Sequence, residues 1–109
     1  MADITIPEPV ASFIDAVNRH DEDSFLDAFP PDGAVDDWGR IFAGREQIKA
    51  WSDKEFIGAR GILTPEEVFE DGEELVVVGD WRSNHANGRS RFGFQVDTEK
   101  IAKMTIREG

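Results

Sequence analysis

Two neighbouring carboxylates, Asp36 and Asp37, are the side chains in this sequence best suited to moving protons. They lie in a short segment, Ala34 to Trp38, whose composition is typical of a strand. Because side chains alternate across a strand, at most one of the two can enter a cavity on a given face. Asp37 is in phase with Val35, whereas an inward Trp38 would bring Asp36 in with it. The pattern does not decide which of the two aspartates enters a cavity. It is also compatible with an ordinary exposed or turn position for each of them.

Composition excludes several other kinds of catalytic site. The sequence has no cysteine and no tyrosine, so thiolate nucleophiles, thiolate metal ligands, disulfides and phenol donors are absent.

The sequence contains two histidines. His20 and His85 do not have a metal-ligand spacing, and we predict neither a metal nor a cofactor. His20 is expected to lie at a helix C-terminus. His85 would be an acid or base if its loop, Ser83 to Asn87, borders a cavity.

The charge balance narrows the classes of partner. Twelve basic and 23 acidic residues give a net charge of −11. Nucleic-acid binding and a polybasic membrane anchor both need a basic surface, so neither is expected. Residues 1–37 carry ten acids and one base, and residues 65–80 carry seven acids and no base. These blocks are typical of solvated faces, although a basic protein partner is a weaker alternative.

The sequence also lacks obvious targeting and membrane-spanning segments. Met1 to Val10 has neither a basic nor an apolar region of the kind found in a secretory signal. The longest apolar run, Leu75 to Val78, is far shorter than the roughly 20 residues that span a bilayer. We therefore expect a cytoplasmic protein that forms one domain over residues 1–109.

Three amphipathic helices are predicted in the first half of the chain. Val10, Phe13, Ile14 and Val17 form one apolar stripe, and Asp21 is positioned to cap a second helix. A third helix is expected from Arg45 to about Phe56.

From Arg60 onward the apolar period changes from 3.6 to 2, which indicates strands at about 60–70, 74–83, 89–96 and 100–107. Asp71-Gly72 and Asn87-Gly88 are strong hairpin turn signals, and Pro65 predicts a bulge or a sheet edge. Helices followed by an antiparallel meander predict an α+β domain in which a curved sheet wraps around the helices.

The order of these elements resembles the nuclear-transport-factor-2-like superfamily, which includes the SnoaL-like polyketide cyclases and the ketosteroid isomerases. The resemblance covers most of the chain and is carried by four segments: Phe13 to Asn18, Asp32 to Asp37, Gly44 to Ile48 and Lys100 to Met104. It implies a cone-shaped half-barrel, in which three N-terminal helices pack on a curved antiparallel sheet. Function does not follow from this fold, because it supports enzymes as well as binding proteins.

The resemblance places Asp37 at the position of the isomerases' catalytic carboxylate. In those enzymes an apolar cavity raises the pKa of this group, which moves a proton beside a carbonyl. Phe13, Phe29 and Ser52 stand where the isomerases have tyrosines, and Phe92 stands where they have a protonated aspartate. Without these donors, ketosteroid isomerase activity is not expected.

A predicted cavity lining follows from the same comparison and from the apolar pattern. Large aromatic residues most often serve a core, but in a half-barrel they also form cavity walls. The predicted lining residues are Phe13, Val17, Phe29, Trp38, Trp51, Val77, Trp81, Phe92, Phe94, Met104 and Ile106.

The opposite sheet face would carry Val76 and Val78 among charged residues, including Arg82, Arg89 and Arg91. Exposed valines on such a face suggest an interface. The resemblance implies a homodimer through this outer face.

Two functional hypotheses follow. In the first, an apolar pocket binds a small hydrophobic molecule. If the protein is an enzyme, Asp37 is then its acid–base group in an isomerase, cyclase or dehydratase reaction. In the second, the protein is a non-catalytic binding or dimeric assembly module that uses the outer sheet face.

Overall fold

The structure, a computed structural model, describes residues 5–109. Residues 1–4, which belong to the segment considered for a secretory signal, lie outside the described residues. Within residues 5–109, no helix is long and apolar enough to cross a membrane.

Two short helices open the fold. Helix α1 (Val10–Asn18) follows Pro9 and buries the predicted stripe of Val10, Phe13, Ile14 and Val17. Helix α2 (Glu22–Asp27) is capped by Asp21, whose side chain accepts a hydrogen bond from the backbone N–H of Ser24. This contact satisfies one of the free donors at the start of the helix.

Strands β1 (Ala34–Asp37) and β2 (Arg40–Ala43) form a hairpin. The two turn residues, Trp38 and Gly39, both have positive φ angles of 55° and 91°. This is the pattern of a type I′ turn, which matches the twist of paired strands. Trp38 therefore belongs to the turn, and its direction does not follow the alternation of β1.

Helix α3 (Arg45–Glu55) buries Ile48, Trp51 and Ser52. Phe56 is its C-cap residue, and Gly58 N–H donates back to the carbonyl of Ser52 at 2.9 Å. A Cβ atom on Gly58 would lie 1.7 Å from a backbone oxygen, so only glycine fits this close approach.

The remaining chain forms β3 (Ile62–Asp71), β4 (Glu74–Arg82), β5 (Gly88–Asp97) and β6 (Lys100–Glu108). The six strands lie in the order β2-β1-β6-β5-β4-β3, and all neighbours are antiparallel except β1 and β6. The register of β3 shifts between Pro65 and Glu67, which is the predicted bulge. Three helices on a curved, unclosed sheet confirm the α+β half-barrel, with one parallel pair that the sequence pattern did not predict.

The outer face of the sheet corrects one expectation. Val76 and Val78 are not exposed: their relative exposures are 0% and 5%.

Two sets of ion pairs cross the outer face above these valines. Arg91 on β5 and Asp71 on β3 form an ion pair of 2.7 Å across β4, while Arg89 pairs with Glu66 and Glu67. Since Arg91 is opposite Val78 and Asp71 is opposite Glu74, their bridge crosses β4 over Val76.

We call these two cross-strand ion pairs, Arg91–Asp71 and Arg89–Glu66/Glu67, the outer-face bridges. Arginine stems cover apolar surface while their charged groups stay in water. The two valines are therefore covered within a single chain.

Candidate functional site

A cavity of about 280 Å³ opens between the β1–β2 turn, α3, the β4–β5 loop and the inner sheet face. Its lining combines aromatic and apolar side chains with four ionisable groups. The lining residues are Asp37, Trp38, Arg40, Trp51, Glu55, Phe56, Trp81, His85, Ala86, Ser90, Phe92 and Ile106.

The aromatic wall of the cavity is a stacked series of rings. Trp51 and Phe56 lie 4.8 Å apart with an interplanar angle of 24°, and Phe56 and Trp81 lie 4.7 Å apart at 12°. Phe42 continues the series behind Trp51 at 5.8 Å. Stacking covers the faces of Trp51 and Phe56, so the series presents ring edges to the cavity, and a flat aromatic ligand can pack against such edges.

Asp37 is placed by the pairing of β1 with β6. It is in register with Ile106, which is in register with Phe92 on β5, so these three residues share the inner face. The Asp37 side chain is only 13% exposed. Asp37 therefore lies at the cavity wall beside apolar residues.

Both hydrogen bonds to the Asp37 carboxylate fall on the same oxygen. Trp51 Nε1–H donates to Oδ2 at 3.1 Å, and the Arg40 guanidinium donates to the same atom. Oδ1 accepts no hydrogen bond from residues 5–109, and it is not among buried atoms left without a partner. Oδ1 therefore contacts solvent at the cavity, where a bound molecule can reach it.

Arg40 connects Asp37 to a second carboxylate. It donates to both oxygens of Glu55, at 2.6 Å and 3.1 Å, and the antiparallel register places it directly opposite Asp37. Hydrogen bonds from Arg40 are the main reason that the pKa of Glu55 is lowered, and those two carboxylates raise the pKa of Arg40. A guanidinium held by two carboxylates has little capacity left for a third anion.

His85 ties the β4–β5 loop to helix α3. Its Nε2 lies 3.1 Å from Glu55 Oε1, and its side chain is half exposed at the cavity mouth. The loop is held by Ser83, whose hydroxyl accepts hydrogen bonds from the N–H groups of His85 and Ala86. A continuous series of polar contacts thus runs from His85 through Glu55 and Arg40 to Asp37.

Asp36 lies on the opposite face of β1. Its carboxylate pairs with Arg107, with both contacts at 3.1 Å, and accepts from Gly39 N–H at 2.8 Å. The hydrogen bonds from Arg107 are the largest cause of its lowered pKa. Of the two neighbouring aspartates, the structure places Asp37 at the cavity and Asp36 on the outer face.

The structure divides the predicted lining into two groups. Six of the predicted residues line the cavity: Asp37, Trp38, Trp51, Trp81, Phe92 and Ile106. Six others do not line it and lie in the core, each at most 2% exposed: Phe13, Val17, Phe29, Val77, Phe94 and Met104. The cause is close packing of the helices on this part of the sheet, where Phe13 on α1 contacts the rings of Phe29 and Phe94 at 5.5 Å and 5.6 Å.

Four lining residues were not identified from the sequence: Arg40, Glu55, Phe56 and Ala86. Glu55 follows Trp51 by four residues on α3, so helical periodicity alone could have placed both on one face. Arg40 could have been found from the hairpin, because a two-residue turn puts it opposite Asp37. Alternation along β5 places Ser90 on the same face as Phe92, whereas nothing in the local pattern points to Ala86.

The positions compared with isomerase tyrosines supply no donor to the cavity. Phe13 and Phe29 pack in the core, and the buried Ser52 Oγ accepts a hydrogen bond from Ile57 N–H at 3.2 Å. Ser90 and His85 are instead the polar groups beside Asp37, Arg40 and Glu55 that line this cavity. Among residues 5–109, no group of three or more His, Cys, Asp or Glu side chains is arranged to hold a metal ion.

Comparison with solved structures shows the same fold in proteins of low sequence identity. A protein from Sinorhizobium meliloti, provisionally named a polyketide cyclase, is 24% identical, with a TM-score of 0.81 over 94% of this chain and 95% of that chain. RV0760c from Mycobacterium tuberculosis in complex with estradiol-17beta-hemisuccinate is 20% identical, with a TM-score of 0.76 and coverages of 92% and 90%.

The orange carotenoid protein of Anabaena (Nostoc), which binds canthaxanthin, is 19% identical with a TM-score of 0.80. The match covers 97% of this chain but 38% of that larger one. A search of curated proteins gave no significant match. The model of the SnoaL-like domain matches residues 10–109, so the chain belongs to the SnoaL-like domain family.

Proposed function

We propose that this protein binds a small, flat, largely apolar molecule in the cavity and that Asp37 moves a proton on it. The observation that carries this proposal is the free Oδ1 of Asp37, a carboxylate oxygen at a cavity whose other walls are mostly aromatic. Isomerases, cyclases and dehydratases of this kind share one step, which is removal of a proton beside a carbonyl.

The size and shape of the cavity support a ligand of two or three fused rings. Its volume of about 280 Å³ is at the lower end of ordinary ligand pockets. Trp51, Phe56 and Trp81 offer stacked aromatic surface. Neighbours with the same fold bind a steroid derivative and a carotenoid, which supports a hydrophobic ligand.

In the proposed step, Oδ1 of Asp37 accepts a proton from a carbon beside a ligand carbonyl. Trp51 and Arg40 hold the other oxygen and fix the orientation of the carboxylate. Ser90 is the lining hydroxyl that could donate to the developing oxyanion, since His85 Nε2 is directed to Glu55. The resulting enol or enolate is then reprotonated, eliminates a leaving group or closes a ring.

A carbon-acid probe tests this proposal without knowledge of the natural substrate. In D₂O, 2-tetralone exchanges its α-protons slowly, and ¹H NMR follows the loss of signal. We expect the wild-type protein to accelerate exchange in a saturable manner and Asp37→Asn to lose at least tenfold of that rate. Asp32→Asn, an exposed carboxylate change, should retain the rate. Equal rates for wild type and Asp37→Asn would reject a catalytic Asp37.

A non-catalytic binding protein is the second candidate. It is favoured by the arrangement around Asp37, where both nearby donors bond to the carboxylate itself. Saturable binding of 2-tetralone without accelerated exchange would support it.

For assembly, we propose a homodimer through the outer sheet face. Ile41 and Phe69 are 54% and 42% exposed and are paired with the outer-face residues Asp36 and Val76. They lie on β2 and β3, the two edge strands, and add exposed apolar side chains at both ends of this face. Sedimentation equilibrium tests this assignment, and a monomer at 100 μM would reject it.

A further inference from the structure

The ionisable groups of the cavity indicate the charge of its ligand. Resting on the proposed function, we infer that the ligand is a flat cation, such as an N-heteroaromatic or iminium ion, and is neither an anion nor a neutral hydrocarbon. This inference depends on how Arg40, Asp37 and Glu55 are paired.

The cationic group in the cavity is already neutralised. Arg40 donates to Asp37 and to both oxygens of Glu55. A carboxylate or phosphate on the ligand would meet a guanidinium that already has two negative partners and would be repelled by both of them. His85 also directs Nε2 to Glu55 at 3.1 Å, so it too is engaged within the site.

The remaining charge is negative. Asp37 and Glu55 contribute −2 and Arg40 contributes +1, so these lining residues sum to −1 when His85 is neutral. The free acceptor is Oδ1 of Asp37, whose side chain is only 13% exposed and is therefore weakly screened by solvent. Nearby Arg107 is paired with Asp36 on the other face, and Lys54 faces Glu55 from α3.

One aromatic residue of the lining favours the same charge. Trp38 lies outside the stacked series of rings and lines the cavity mouth, and the face of such a ring attracts cations. Its ring is 61% exposed and is therefore open to a ligand. The net charge of −11 on the whole chain further favours the approach of a cation.

A cationic nitrogen would also complete the proposed chemistry. When Oδ1 removes a proton from the carbon next to a C=N⁺ group, the C–H bond breaks and an O–H bond forms on Asp37. The electron pair moves into the C=N⁺ group and gives a neutral enamine, so charge and atoms balance. The positive nitrogen thereby supplies the stabilisation for which a ketone would require strong oxyanion donors.

Three aromatic probes of similar size test the inference. They are the 1,2-dimethylquinolinium cation, neutral 1,2-dimethylnaphthalene and the 1-methyl-2-naphthoate anion, and equilibrium dialysis measures the affinity of each for the full chain at 0.15 M salt. We expect the cation to bind at least tenfold more tightly than the neutral probe and the anion to bind most weakly. In Asp37→Asn the preference for the cation should fall to less than threefold.

Two controls separate the local carboxylate from total charge. Asp32→Asn removes the same charge at an exposed position and should keep the tenfold preference. Raising the salt to 1 M should reduce the contribution of distant charges but leave most of the preference, because Asp37 is nearly buried.

The outcomes also separate this inference from the proposed function. Tighter binding of the neutral probe or the anion would overturn the inference and leave a hydrophobic pocket intact. An unchanged preference in Asp37→Asn would overturn it as well. No binding by any of the three probes would overturn the proposed function together with the inference.

Discussion

Asp36 and Asp37 are adjacent in the chain but bind different arginines on opposite faces of one strand. Asp36 pairs with Arg107 on the outer face, and Asp37 pairs with Arg40 at the cavity. Strand alternation thus separates two identical side chains into one that joins β1 to β6 and one that faces a potential ligand.

The first prediction concerns the different effects of these two carboxylates on stability. Asp36→Asn weakens a bidentate pair and a hydrogen bond from Gly39 at a position only 8% exposed, so we expect a loss of about 1–3 kcal/mol in the free energy of unfolding. Asp37→Asn should cost less than about 1 kcal/mol, because Arg40 keeps its bidentate contact with Glu55. Urea unfolding measures both variants, and a larger loss for Asp37→Asn would contradict this assignment.

The second prediction is a loss of stability in acid. Hydrogen bonds from Arg107 lower the pKa of Asp36, and hydrogen bonds from Arg40 lower the pKa of Glu55. A carboxylate whose pKa is lower in the folded state stabilises the fold above its unfolded value, about 4. That contribution is lost as the pH falls from this value through the lower folded one.

Urea midpoints between pH 7 and pH 2.5 should therefore decline most steeply below about pH 4. Asp36→Asn has one fewer such group and should show a smaller decline over the same range. An identical pH dependence for wild type and Asp36→Asn would show that the Arg107 pair is not linked to folding.

The third prediction concerns the outer-face bridges. Arg91→Ala should expose Val76 and destabilise the protein by about 0.5–1.5 kcal/mol, since both the ion pair and the covering side-chain stem are removed. Arg82→Ala is the matched control, because within residues 5–109 Arg82 pairs with Asp80 alone, two positions away on the same strand, and is 69% exposed. Equal effects of the two variants on urea unfolding would show that the bridge does not cover Val76.

The fourth prediction concerns a glycine that makes room for the cavity wall. A Cβ atom on Gly61 would lie 2.1 Å from the Trp81 ring, so Gly61→Ala must displace this ring. We expect a loss of about 1–3 kcal/mol and a shift in tryptophan fluorescence. In a Trp81→Phe background, which lacks the clashing atoms, the same substitution should cost less. An equal cost in both backgrounds would locate the strain elsewhere.

Local sequence signals were sufficient for most elements of the fold. The stripe of α1, the Asp21 cap of α2 and the Pro65 bulge depend on residues close in the chain, and all three occur as expected. The parallel pairing of β1 with β6 was not predictable in this way, because it joins distant segments. The face of Asp37 was left open since Trp38 was counted as part of the strand, whereas its φ of 55° places it in the turn.

The covered valines show a second limit of sequence patterns. Alternation placed Val76 and Val78 correctly on the outer face, but it carries no information about charged side chains that reach across from β3 and β5. The same limit applies to the cavity, where apolar alternation identified the inner face. Which part of that face is packed by helices and which part is open depends on the curvature of the sheet.

The pairing of β1 with β6 also determines when the cavity can form. The contact between Asp36 and Arg107 joins residues 71 positions apart, and Asp37 is held in register by Ile106. Contacts of such long range form late because loop closure precedes them. On the ribosome, the helices and the three antiparallel strands β3 to β5 can assemble as the chain emerges, but Asp37 has no β6 partner until that strand has left the exit tunnel. The cavity at Asp37 is therefore completed only when β6 pairs with β1.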